Sequence, residues 1–234
     1  MSLSLRLGPV EVWWLGGGLY VEAYGNGVLV DTPEGVAARL EELGASPRLR
    51  AVLLTSGRPL SVGGLVPLLC SLERHRDRES PLSVLHSLVE ERAALLAGAW
   101  VRGWPGSYPL HLDGFTPGDR AELGALSVRT RAVRHGEPRW GEAPAVAQRP
   151  ALAVRLELAD HAIAFVPGAA PGSGVERLCD GADLAVVEVG RAPRPRTDRA
   201  WRRTAGQATE AAGGAKAVWL VGDDGRAATE PTVQ

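Results

Sequence analysis

The sequence predicts a layered α/β fold, and three observations carry that reading. Short apolar runs rich in β-branched residues recur along all 234 residues. Segments with helical periodicity separate them, and Gly, Pro and Asn mark the joints. Hydrophobic residues make up 45% of the chain and charged residues 23%, which supplies enough apolar surface for a core. Strand clusters that alternate with helices place the helices outside a sheet core.

The elements follow in order. Val10–Leu15 is apolar and β-rich, and Gly16-Gly17-Gly18 breaks it. Leu19–Tyr24 and Val28–Val30 are strands joined by Gly25-Asn26-Gly27, a turn signal because Gly and Asn tolerate positive φ. Pro33–Leu43 reads as a helix with Val36, Leu40 and Leu43 on one face, and Gly44 ends it. Arg50–Thr55 reads as a buried strand, Ser56–Ser61 as a polar loop and Gly63–Leu72 as a helix. The charged run Glu73–Glu79 reads as a surface turn. Leu82–Leu85 is a strand and Val89–Ala99 a helix. In the second half, strands are expected at Leu126–Val133, Leu152–Leu158, Ala162–Val166, Ala185–Val189 and Ala217–Val221, with helices over Gly172–Cys179 and Ala200–Ala212. Residues 136–150 are rich in Pro and Gly and read as a loop. One domain is expected over residues 1–222, followed by a frayed tail over 223–234.

Composition excludes several function classes. The formal net charge of −1 gives no whole-protein field for nucleic acid or membrane. Cys70 and Cys179 are too few and too far apart for a disulfide scaffold or a cysteine metal site. No apolar run nears the ~20 residues that span a bilayer, and no leader pattern is evident, so a cytoplasmic location is expected. Only Lys216 among 26 basic residues is lysine, a compositional bias that lowers the weight of any arginine cluster.

Several segments, in the right order, resemble the metallo-β-lactamase-fold hydrolases and within them the ribonuclease Z group. They are Leu15-Gly16-Gly17-Gly18, Val28-Leu29-Val30-Asp31-Thr32-Pro33-Glu34-Gly35, Thr55–Leu65 ending in Gly63-Gly64-Leu65, Asp113-Gly114-Phe115, Val133-Arg134-His135-Gly136, Asp183–Glu188 and Gln207–Val221. The resemblance implies a four-layer αββα sandwich. It also implies a pair of zinc ions that generate a hydroxide nucleophile. In the family a His-x-His-x-Asp-His loop, a later His, an Asp and a final His hold the metals. Here the loop positions are Ser56, Arg58, Leu60 and Ser61, the later His is His135, the Asp falls near Ala169 and the last His near Gly222. One of seven ligands remains. A single imidazole cannot supply the ~10–16 kcal/mol typical of structural zinc binding, and Arg58 puts a positive charge where a dication would sit. His75, His86, His111 and His161 lie outside the motif loops. No metal or other cofactor is therefore expected.

These residues lead to a pseudoenzyme reading: a catalytically inactive relative that acts through protein–protein contact, as a homodimer or in a heteromer with an active relative. Arg58 is expected to plug the vacated cavity by pairing with Asp31 or Glu188, which are read as structural. It could instead form an anion pocket with Thr55, Ser56, Ser61 and His135. A second function class is nucleic-acid or nucleotide-phosphate binding through Arg191, Arg194, Arg196, Arg199, Arg202 and Arg203, beside Trp201. A third is a metal-free hydrolase with Ser56 or Ser61 as nucleophile and His135 as base. Trp219 and one of Trp13 and Trp14 are expected in the core.

Overall fold

The alternation in Leu3-Ser4-Leu5-Arg6-Leu7 begins the first sheet with an edge strand, β1 (Leu3–Leu7). The computed structural model describes residues 3–75, 81–89, 91–101, 104, 106–137, 147–169, 174–189, 204–222 and 232–233. After β1 come β2 (Val10–Trp14), β3 (Leu19–Ala23) and β4 (Asn26–Val30) as an antiparallel meander. The chain then crosses over through α1 (Val36–Glu42) to β5 (Leu49–Leu54). It continues through α2 (Pro59–Val62) and α3 (Leu65–Leu72) to β6 (Leu82–Ser87), and through α4 (Glu91–Val101) to β7 (Leu110–Phe115). Strands β4 to β7 pair in parallel, so the seven-stranded sheet lies in chain order. The helical crossovers are what parallel pairing requires.

The second sheet also has seven strands. It contains β8 (Arg120–Leu123), β9 (Leu126–Glu137), β10 (Ala147–Leu158) and β11 (His161–Val166), then α5 (Glu176–Cys179), β12 (Leu184–Val189), α6 (Ala205–Ala211), β13 (Ala217–Gly222) and β14 (Thr232–Val233). Its order is β14-β13-β12-β11-β10-β9-β8, with β11, β12 and β13 parallel. By their contacts the residues fall into two units, Met1–Thr116 with Ala121–Ser127, and Pro117–Arg120 with Val128–Gln234.

Each unit has its own core. In the first, Leu29, Val52, Leu54 and Val84 from the sheet pack with Val36 and Leu40 of α1 and Leu65, Leu68 and Leu72 of α3. Burying each such side chain contributes about 1.5–3 kcal/mol. The second core is alanine-rich. Ala151, Ala153, Ala164 and Ala185 of the sheet meet Ala208, Ala211 and Ala212 of the α6 segment, small residues that let a helix approach the sheet closely. A capping box starts α6: Gln207 N–H donates to Thr204 Oγ1 at 3.3 Å, and Thr204 N–H donates to Gln207 Oε1 at 3.0 Å. Trp14 and Trp219 are both buried, while Trp13 is half-buried against Tyr20.

Four strands go beyond the elements read from the sequence: β1, β7, β8 and β14. The loop expected over 136–150 is also shortened, because β9 runs to Glu137 and β10 begins at Ala147. Long-range pairing overrides the local turn preference of Gly136 and Pro150. Inside the stretch expected as a tail, Thr232 and Val233 pair with Val218 and Ala217. Among the described residues no helix is long and apolar enough to cross a membrane.

Candidate functional site

Open sheets with parallel strands bind ligands at the carboxyl ends of those strands. In the first unit this edge gathers polar side chains. Asp31 follows β4, Thr55 and Ser56 follow β5, and His86 and Ser87 close β6. The register sets His86 level with Leu54, one residue before Thr55. All five are buried.

Asp31 sits at the centre. Its backbone is left-handed, with φ 62°, a conformation that costs a non-glycine residue about 1–2 kcal/mol. The surrounding contacts hold it there. Its N–H donates to the Leu53 carbonyl at 2.8 Å. Its Oδ1 accepts from Thr55 N–H at 2.8 Å, and its Oδ2 accepts from Thr55 Oγ1 at 2.7 Å and from Ser61 Oγ at 3.0 Å. Ser56 Oγ lies 2.9 Å from Ser61 Oγ, and Arg58 Nε donates to Ser56 Oγ at 3.2 Å. These bonds fix the direction of the chain. Ser61 gives its only hydroxyl proton to Asp31, so Ser56 donates to Ser61 and accepts from Arg58. A buried guanidinium is thus joined to a buried carboxylate through two serine hydroxyls.

Local sequence builds this arrangement. Pro59 opens α2 and keeps Arg58 extended, at φ −68° and ψ 149°. The Arg58 carbonyl accepts from Ser61 N–H at 2.8 Å, which turns Ser61 back toward Asp31. Thr32 then fastens the two loops, because its N–H and its Oγ1 both donate to the Ser61 carbonyl, at 2.8 and 2.9 Å. Gly64 completes the lock. Its N–H donates to the Thr32 carbonyl at 2.7 Å, and a Cβ at this position would collide with the Pro33 carbonyl. The Gly-Gly-Leu signature therefore has a steric reason in this chain.

The expected site residues divide between the two units. Ser56, Arg58 and Ser61 come together as described, and Leu60 is half-buried on α2. In the second unit Ala169 follows β11, Glu188 lies near the end of β12 and Gly222 closes β13, again at the carboxyl ends of parallel strands. Glu188 is buried and accepts from Gly168 N–H at 2.7 Å. His135 lies in β9, and its side chain is outside the described residues. Arg191, Arg194, Arg196, Arg199, Arg202 and Arg203 are also outside them. Ser56 and Ser61 are 0% exposed, and both hydroxyl protons are engaged in the chain to Asp31.

The zinc pair implied by the resemblance does not fit the donors at the loop. Ser56, Arg58, Leu60 and Ser61 offer no imidazole or carboxylate, and Arg58 contributes a fixed cation at 4% exposure. Among the described residues no group of three or more His, Cys, Asp or Glu side chains is placed to hold a metal ion. Two features of this edge were not read from the sequence. His86 is buried with Nδ1 3.4 Å from the Ser87 carbonyl, and Ser87 Oγ is buried with no hydrogen bond among the described residues. The signal was available in their position at the end of a strand parallel to β5.

Other ionisable groups serve the fold. Burial opposes ionisation of Glu41, but hydrogen bonds from Ser71 at 2.7 Å and His75 at 3.0 Å outweigh it and hold the carboxyl below its ordinary range. Burial likewise opposes ionisation of Asp183. Lys216 at 2.7 Å and the Ala162 N–H at 2.9 Å reverse the balance and lower it. Burial, aided by Glu22, pushes the Tyr20 phenol far above its usual value.

Two mixed sheets with flanking helices define a class, the metallo-β-lactamase α/β sandwich. The chain belongs to the beta-lactamase superfamily domain family, whose model matches residues 26–221. It is ribonuclease Z-like: it is 38% identical over 121 residues to ribonuclease Z of Bradyrhizobium sp. (strain ORS 278), a match covering 50% of this chain and 40% of that protein. The chain thus spans two fifths of that relative's length. Human tRNase Z, short form (ELAC1), superposes with a TM-score of 0.65 at 17% identity, over 87% of this chain and 83% of the other. The metallo-β-lactamase fold protein YhfI from Bacillus subtilis gives 0.63 at 16% identity, over 87% and 76%. At these identities the structures share the fold.

Proposed function

We propose that this chain is a ribonuclease Z-like pseudoenzyme that works through contact with other proteins rather than through zinc-dependent hydrolysis. The observation that carries the reading is the buried chain from Arg58 through Ser56 and Ser61 to Asp31. It fills the loop at which the family resemblance expects four metal ligands. Arg58 sets a fixed, buried cation in this loop, tied through Nε to Ser56, and a guanidinium opposes a dication. Self-association or a heteromer with an active relative is the expected working state. Exposed Leu88, Leu95 and Leu96 supply apolar surface for such contact. The free thiols of Cys70 and Cys179 suit a reducing, cytoplasmic location.

The test combines activity and assembly. Purified protein is incubated with added zinc or manganese and bis(p-nitrophenyl) phosphate, and its mass is followed by sedimentation. Background turnover together with a dimer or larger assembly supports the proposal. Metal-stimulated turnover that a chelator abolishes overturns it.

A further inference from the structure

The outer face of β9 and β10 changes character along its length. Val133, Ala151 and Ala153 pack in the second core, near α5. Arg129, Arg131, Arg155 and Glu157 continue the same period-two face beyond it. With only four residues, α5 covers little of the sheet. What remains is a hollow of about 690 Å³, closed on another side by Pro117 and Gly118. That volume lies within the roughly 300–1,000 Å³ range of small-molecule sites.

Its lining carries four guanidiniums against two carboxylates, those of Glu157 and Asp180. The four arginines differ in employment. Glu157 takes Arg129 at 3.1 Å and Arg155 at 2.9 Å. Arg155 also donates to the carbonyls of Leu178 at 2.7 Å and Asp180 at 2.8 Å, which straps the end of α5 to the sheet. Arg131 and Arg177 make no hydrogen bond or ion pair among the described residues. Arg131 lies close against Gly174. Its Nη2 lies 2.8 Å from where a Cβ on Gly174 would stand, and Gly174 has φ +64°, so this residue makes room for the guanidinium.

We propose that this hollow binds a small phosphate-bearing anion, with Arg131 and Arg177 as its direct ligands. Two uncommitted guanidiniums facing one concavity match the bidentate geometry and charge of phosphate oxygens. Arg129, Arg155 and Glu157 form the frame that holds the face open. The inference is independent of the pseudoenzyme reading, since every residue it uses lies in the second unit.

The test is calorimetric titration of the full chain with inorganic pyrophosphate at fixed ionic strength, with sulfate and a short single-stranded oligonucleotide in parallel. Pyrophosphate is expected to bind in a saturable one-to-one manner. Arg131→Gln and Arg177→Gln are each expected to weaken it by at least about tenfold. Gly174→Ala is expected to weaken it by displacing Arg131, with Arg131→Gln carrying the test if the alanine variant misfolds. Arg6→Gln, on β1 of the first unit, should leave binding unchanged. Equal affinity in the wild type and in both Arg131→Gln and Arg177→Gln overturns the proposal. So does sulfate binding equal to pyrophosphate, which would mean unspecific charge, or an Arg131-dependent affinity confined to the oligonucleotide.

Discussion

Ser61→Ala removes the central link between Arg58 and Asp31 and leaves the backbone untouched. Asp31 Oδ2 loses a donor at 3.0 Å, and the Ser56 hydroxyl loses its acceptor at 2.9 Å. A hydrogen bond to a charged acceptor is worth about 1.5–3 kcal/mol, and a buried hydroxyl left unsatisfied costs about 1–3 kcal/mol. Both groups are within 1% of full burial, so water does not replace the lost partners. Because the two effects overlap, the expected destabilisation is about 2–4 kcal/mol. At about 2–4 °C per kcal/mol for a chain of this size, the melting temperature should fall by roughly 4–16 °C. Ser56→Ala removes the group that Ser61→Ala orphans. The double variant should therefore be less destabilised than the two singles together, by about 1 kcal/mol or more. Urea unfolding of the four proteins measures this cycle. A Ser61→Ala cost under about 0.5 kcal/mol, or strict additivity, refutes the directed chain.

Other outcomes follow from the same structure. Gly64→Ala drives a Cβ into the Pro33 carbonyl and should cost about 3 kcal/mol or more, or abolish soluble expression; a near-neutral melting temperature contradicts the close approach. Tyr20→Phe removes a 2.8 Å donation to Glu22, which keeps Arg48 at 2.7 Å, so a loss of only about 0.5–1.5 kcal/mol is expected by urea unfolding. The Asp183 carboxyl is lowered on folding, so its contribution is complete above its unfolded value near about pH 4 and is lost as pH falls further. Lys216→Met should bring its titration closer to the ordinary value and move acid unfolding to higher pH, readable by carboxyl NMR and circular dichroism; an unchanged acid limb speaks against the Lys216 contact.

Much of the first unit was legible because its strands are short apolar runs with glycine at the joints. The helical face of Val36 and Leu40 and the burial of Trp14 and Trp219 follow from periodicity, and the structure has them so. Strands β1 and β7 were harder to read. Each is a short alternating run at an end of the sheet, with Leu110 and Leu112 only half-buried, and an edge strand is defined by its pairing partner more than by its own apolar content. The candidate site was legible in its members and not in its wiring. The sequence offers Arg58, Ser56, Ser61 and Asp31. The contact of Ser61 with Asp31 spans 30 residues and depends on the Thr32 and Gly64 bonds that bring two loops together. The Glu41–His75 pair was hidden for the same reason. Its partners lie 34 residues apart, and His75 reads locally as part of a charged turn.

Zinc content bears most directly on the pseudoenzyme reading. It is measured by inductively coupled plasma mass spectrometry on protein purified without chelating resin and then equilibrated with excess zinc and desalted. The buried guanidinium and the serine hydroxyls predict well under one zinc per chain, with the same result for Arg58→Met. One to two tightly held zinc ions per chain in the wild type, accompanied by chelator-sensitive phosphodiesterase activity, would contradict the account.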